Sequence, residues 1–152
     1  MNVYFVETER NVTEVVAVLK KQRVEPFIVL RPELACFDAL LDYSLFLAYK
    51  AFQLGKQRAR DLSIQWLLYL AATQHVDKAL QFTTPNGRVF AIASDKKIDA
   101  KTLKQIGKEK AFTCPAHAKK EIAKHYGVTG KALERYAPEE LIREKIAIAS
   151  MA

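Results

Sequence analysis

The chain has 152 residues, half of them hydrophobic, and carries 24 Lys and Arg against 17 Asp and Glu for a net charge of +7. That length suits one domain with its own core and leaves no room for two of ordinary size. No apolar stretch approaches the roughly 20 residues that a membrane-spanning helix needs, and the start of the chain has no basic region followed by a long apolar one.

In chain order, residues 3–7 predict a first strand. Asn11 with Glu14 forms a capping box that opens a helix to about Lys21. Residues 26–30 predict a second strand. The two strands with their intervening helix make a crossover unit, and the pattern leaves open whether they are neighbours or parallel. Phe37, Leu40, Leu41, Leu45, Ala48 and Phe52 then recur at three- and four-residue steps along one side of a helix, which Gly55 stops. Lys56, Arg58 and Arg60 crowd ahead of Asp61, an N-cap for the next helix. Trp66, Leu67, Leu68, Leu70 and Ala71 carry that helix inward until Thr73, Gln74 and His75 break the apolar run. Thr73 is the expected cap of a further helix that shows Val76, Ala79 and Leu80 to the core and ends before the turn signal Thr83-Thr84-Pro85-Asn86-Gly87.

Residues 88–94 predict a third strand, Asp99 caps a short helix ending at Gly107, and residues 111–114 predict a fourth strand ended by Pro115. The remainder reads as three helical pieces, 116–126, 130–136 and 138 onward, punctuated by Gly127 and Pro138. The expected fold is a single α+β domain over residues 1–152, with a small mixed sheet of three or four strands packed against a helical layer.

Cys36 and Cys114 are far apart in sequence and neither lies in a Cys-x-x-Cys pair. They are expected to be small buried hydrophobes in a reduced, cytoplasmic protein, also nuclear if the source is eukaryotic. The glycines are isolated, which excludes a phosphate loop and a dinucleotide fingerprint. His75, His117 and His125 lack the close spacing of a metal-binding helix pair. No nucleophile with a base and no convergent carboxylate pair stands out, so the expectation is a binding protein, not an enzyme, with no metal, cofactor or small-molecule substrate. The mildly basic charge permits a nucleic acid or an acidic protein as partner.

Two binding readings compete. The 116–136 corner, with Gly127 in the turn and Thr129 as a cap, resembles a helix-turn-helix unit that would turn Lys131, Glu134 and Arg135 toward a DNA groove. Alternatively, the basic joint of Lys56, Arg58 and Arg60 grips RNA phosphates while Thr73, Gln74 and His75 meet the bases. The last helix, in which Leu141, Ile142, Ile146 and Ala149 lie at helical spacing and Ile148 widens the apolar face beside Lys145, has the breadth for a protein partner besides its own core.

The run from the alanine-spaced helix (Ala39, Ala48, Ala51) through the basic joint, the leucine-rich helix, the turn Ala71-Ala72-Thr73-Gln74-His75-Val76 and on to the last helix resembles the smallest subunit of the KEOPS complex, the PRPK-binding-protein family. Val76, Ala79 and Leu80 stand where that family has Ile, Ala and Ile, whereas the family's Gly and Arg in the turn are Ala72 and Gln74. The resemblance implies a noncatalytic regulatory subunit that uses the last helix (Leu141, Ile142, Lys145, Ile146, Ile148, Ala149) against the complex's kinase-like subunit. It also implies contact with the single-stranded acceptor end of tRNA, in support of threonylcarbamoylation of the adenosine beside the anticodon.

Overall fold

A computed structural model describes residues 1–128 and 130–151 of the chain. Strand β1 (Asn2–Glu7) leads to helix α1 (Val12–Lys21), which opens on the expected capping box. Asn11 Oδ1 accepts from the Glu14 N–H at 2.9 Å, and the Asn11 N–H donates to Glu14 Oε1 at 3.5 Å. Strand β2 (Phe27–Leu30) follows, then a 3₁₀ segment (Pro32–Phe37) and the long helix α2 (Asp38–Gln53). Helix α3 (Leu62–Leu70) starts where Asp61 accepts from the Ser63 N–H at 2.6 Å, as an N-cap should. Next come α4 (Val76–Thr83), β3 (Val89–Ser94) and α5 (Ala100–Ile106), the last capped by Asp99 and closed at Gly107. A two-residue strand β4 (Lys108–Glu109) precedes α6 (Ala118–His125), the single-turn α7 (Ala132–Arg135) and α8 (Pro138–Met151).

The domain is α+β, as expected, but its sheet is antiparallel throughout and not mixed. The order is β2-β3-β1-β4, and each neighbouring pair is antiparallel. β1 and β2 therefore run the same way with β3 inserted between them, so the crossover unit is split. Alternation along the strands sends successive residues to opposite faces. Ile28, Leu30, Ala91 and Ala93 join the core formed with α2, α3 and α8, while Phe27, Val29, Phe90 and Ile92 join a second core with Val15, Leu19, Leu103 and Ile106 of α1 and α5. Both faces of β2 and β3 are apolar, so helices cover both sides of the sheet where a single layer was expected.

Three further expectations are corrected. Residues 111–114 form no strand: pairing stops after the Lys110 N–H donates to Phe5 O at 2.9 Å, and Phe112 instead stacks on Phe5 with ring centroids 5.0 Å apart. Cys36 and Cys114 are not buried thiols but a disulfide, with Cα atoms 5.8 Å apart. The physical reason is that the irregular stretch after β4 crosses the 3₁₀ segment, which leaves Cys114 exposed beside a half-buried Cys36. Of the three α4 residues expected in the core only Ala79 reaches it, and Val76 and Leu80 stay 41% and 42% exposed, because the short helix turns a single stripe, Ala79 and Thr83, inward. Its N-cap is His75, two residues after the expected Thr73, whose hydroxyl accepts from the His75 N–H at 3.3 Å.

The expected helix over 130–136 shrinks to four residues with none buried. Lys131, Glu134 and Arg135 are exposed on that turn, which at about 1.5 Å per residue is too short to lie along a groove; Thr129 lies outside the described residues. Among the described residues no helix is long and apolar enough to cross a membrane.

Candidate nucleic-acid and partner surface

The basic joint is held from beneath by a polar side chain in the middle of an apolar helix. Gln65 of α3 is fully buried, and its Oε1 accepts from the backbone N–H groups of Arg58 and Ala59 at 2.8 and 2.9 Å. Those two bonds fix the path of a segment that belongs to no helix or strand, so Arg58 leaves the surface from a defined point. A buried amide stripped of these partners would lose roughly 1–3 kcal/mol of compensation.

The polar turn is fixed by the end of the same helix. After Leu70 the chain closes a Schellman arrangement in which the Ala72 N–H donates to Tyr69 O at 3.0 Å and the Thr73 N–H to Leu68 O at 3.1 Å. Ala72 occupies the left-handed position at φ 51°. This is a conformation that glycine adopts freely and that costs an L-residue about 1–2 kcal/mol. Thr73, Gln74 and His75 then project ahead of α4, the first half-buried and the other two exposed.

Joint and turn meet in space. Arg58 Nη1 donates to Gln74 Oε1 at 2.7 Å, across 16 residues of sequence. Burial pushes the Tyr69 hydroxyl pKa up while the nearby Arg58 charge opposes it, so the guanidinium also lies close to α3. Of the other predicted cations, Arg60 is exposed on the joint. Lys56 instead lines a groove between α2 and α8 with Tyr43, Leu54, Tyr69 and Met151. The predicted RNA residues thus group as Arg58, Thr73, Gln74 and His75, with Arg60 nearby in sequence and Lys56 turned to a different groove.

The residues predicted for a protein partner divide by burial. Ile142 and Ile146 are fully buried in the chain's own core, which corrects their assignment as partner contacts. They sit one helical turn apart on the stripe that faces α2 and α3. Leu141 and Ala149 are half-buried, Lys145 is exposed, and Ile148 is 55% exposed. Lys145, Ile148 and Ala149 line a cleft with Ala71, Ala72, His125 and Tyr126. The two predicted surfaces therefore adjoin at the Ala72 turn. Arg143 reinforces the α8 packing from its solvent side, with Cζ 4.4 Å from the centre of the Tyr43 ring on α2.

Some residues that shape this region give little sign of it in sequence. Gln65 is a polar letter two residues after Ser63 in an otherwise apolar helix, and that interruption is its only signal. Arg31, Phe82 and Tyr126 come together from distant segments, with the Arg31 Cζ 5.4 Å from the Phe82 ring centre and Tyr126 edge-on to that ring at 5.1 Å. Among the described residues no group of three or more His, Cys, Asp or Glu is gathered as a metal site requires. No protein-family model matches the chain, and no curated protein matches it significantly.

Proposed function

We propose that this chain is a noncatalytic binding subunit of a KEOPS-type tRNA-modifying complex. It holds the single-stranded acceptor end of tRNA on the Arg58–Gln74 surface and meets the kinase-like subunit through the outer face of α8. The observation that supports this reading most directly is the 2.7 Å hydrogen bond from Arg58 to Gln74, which joins the basic segment and the polar turn into one exposed surface. Such a surface offers a guanidinium for phosphate oxygens and an amide for base edges.

The two departures from the resembled turn acquire a physical meaning. Ala72 keeps the left-handed backbone that a glycine would adopt there, at φ 51°. Gln74 lacks a positive charge, and Arg58 brings one to the same place from the joint. The proposal carries a cytoplasmic location with it. A disulfide is compatible with that location in intracellular proteins of hyperthermophiles, which are rich in such bonds.

The test is tRNA binding by the isolated protein, comparing an intact acceptor end with one trimmed of its single-stranded tail. Intact tRNA should bind more tightly. With Arg58 and Arg60 each neutralising one phosphate, log affinity should fall against log salt with a slope of about −1.5. The double variant Arg58→Glu/Arg60→Glu should lose at least tenfold in affinity with an unchanged melting temperature. Equal affinity for trimmed and intact tRNA overturns the reading.

A further inference from the structure

Arg31 follows β2 at a half-buried position, its backbone N–H tied to Thr83 O at 2.8 Å. The Nε and Nη2 atoms of its side chain are shut off from solvent without a hydrogen-bond partner among the described residues. Among the described residues no ion pair includes this guanidinium. The Phe82 ring beneath it supports a cation but offers no oxygen acceptor. Tyr126 does not balance the charge either: its hydroxyl donates to Leu70 O, and burial raises its pKa, so the phenol stays neutral. Polar N–H groups shut off from water without an acceptor are costly, and Arg31, half-buried as a whole, lines open space beside them.

That space is a cleft of about 340 Å³ whose polar lining includes Arg31, Lys78, His125, Thr73 and Gln81, with no Asp or Glu in it. A second cleft, on which Arg31 also borders, contains Glu33 and Glu121, so the two openings differ in charge. The carboxylate-free opening combines two basic side chains with an imidazole, a hydroxyl and an amide. Donors gathered from separate elements around one volume suit a tetrahedral oxyanion.

We propose that this cleft is a phosphate-binding site, in which Arg31 and Lys78 pair with phosphate oxygens while Thr73 and His125 contribute hydrogen bonds. A modest rotation of the guanidinium off the Phe82 ring turns its unpartnered edge into the two-pronged fork that Arg makes with phosphate. The phosphate belongs either to a small phosphate monoester or to the backbone of an RNA strand. The inference stands on the cleft itself and not on the tRNA reading.

The experiment is an NMR titration of the full chain with inorganic phosphate, in a phosphate-free buffer at constant ionic strength. Saturable shifts at Thr73, Lys78, Gln81, Phe82 and His125 are expected. Lys78→Glu, at an exposed position, should weaken binding at least tenfold, and Arg31→Gln should do the same. If Arg31→Gln fails to fold, Lys78→Glu decides. A short single-stranded RNA without terminal phosphates is the second arm: competition with phosphate for these shifts assigns the site to backbone phosphate, and its absence assigns it to small phosphates. Arg58 and Arg60 do not line the cleft, so Arg58→Glu/Arg60→Glu should weaken the phosphate titration far less than Lys78→Glu does. No saturable shift at millimolar phosphate, or unaltered binding in Lys78→Glu, overturns the proposal.

Discussion

Ala72 is the residue at which backbone energetics and function meet. It turns the chain at φ 51° between the end of α3 and the exposed Thr73-Gln74-His75 triplet, with both Schellman hydrogen bonds made. Replacing it by glycine removes a left-handed penalty of roughly 1–2 kcal/mol and adds about 0.4–1 kcal/mol of unfolded-state entropy. The expected outcome for Ala72→Gly is a gain of about 0.5–1 kcal/mol, read as a higher urea midpoint with an unchanged slope. A loss of stability would mean that the Ala72 methyl, which packs at the edge of the main core, outweighs the strain. Individual residues were unevenly legible. Asp61 and Asp99 announce themselves as caps because the signal is local, and both cap. Gly107 reads as a helix stop, yet a Cβ there would lie 2.2 Å from Glu7 O, a crowding set by a strand far away in sequence. Gln65 depends likewise on what happens to fold above it.

At the scale of elements, α8 carries two different faces within 14 residues. Its Ile142 and Ile146 follow helical periodicity and were expected on one apolar stripe, but periodicity does not say whether the stripe meets this chain or another. Burial decides it: both are at 0% exposure and Ile148 is at 55%. An unpaired carboxylate at Ile146 should destabilise the domain by several kcal/mol and leave it unfolded or nearly so. At Ile148 the same change should shift stability by no more than about 0.5 kcal/mol. Under the proposed function, Ile148→Glu should still lose the kinase-like subunit in a pull-down, because the exposed isoleucine borders the Ala72 cleft. A variant that melts normally and binds fully removes α8 from the interface. The misread elements share one cause: the 111–114 apolar letters and the α4 positions Val76 and Leu80 looked like core. Apolar letters alone do not place a segment inside: Phe112 stacks on Phe5 without joining the sheet, and Val76 and Leu80 lie off the one stripe of α4 that faces inward.

For the whole molecule, the α+β class was legible because strand and helix periods differ, whereas strand order was not. Nothing local tells β3 to insert between β1 and β2; the order is set by which distant strands pair, β3 with β1 on one side and with β2 on the other. The disulfide was illegible for the same reason. Cys36 and Cys114 are 78 residues apart, and only the assembled fold brings their Cα atoms to 5.8 Å. The bond ties the segment ahead of α6 to the 3₁₀ segment, against which α6 already packs. Closing so long a loop restricts the unfolded chain strongly, so removing the bond should cost about 2–4 kcal/mol. The measurement is chemical unfolding of the oxidised protein beside the Cys36→Ser/Cys114→Ser variant, with thiol counting on the oxidised sample. A lower midpoint and no reactive thiol in the oxidised protein are expected. Because the β1–β3 ladder runs through six residue pairs and neither strand carries a bonded cysteine, its amide protection should fall only as far as global stability does, while protection in α6 should fall further. Two reactive thiols in the native protein, or equal midpoints, would show that packing of α6 against the 3₁₀ segment holds this corner without the bond.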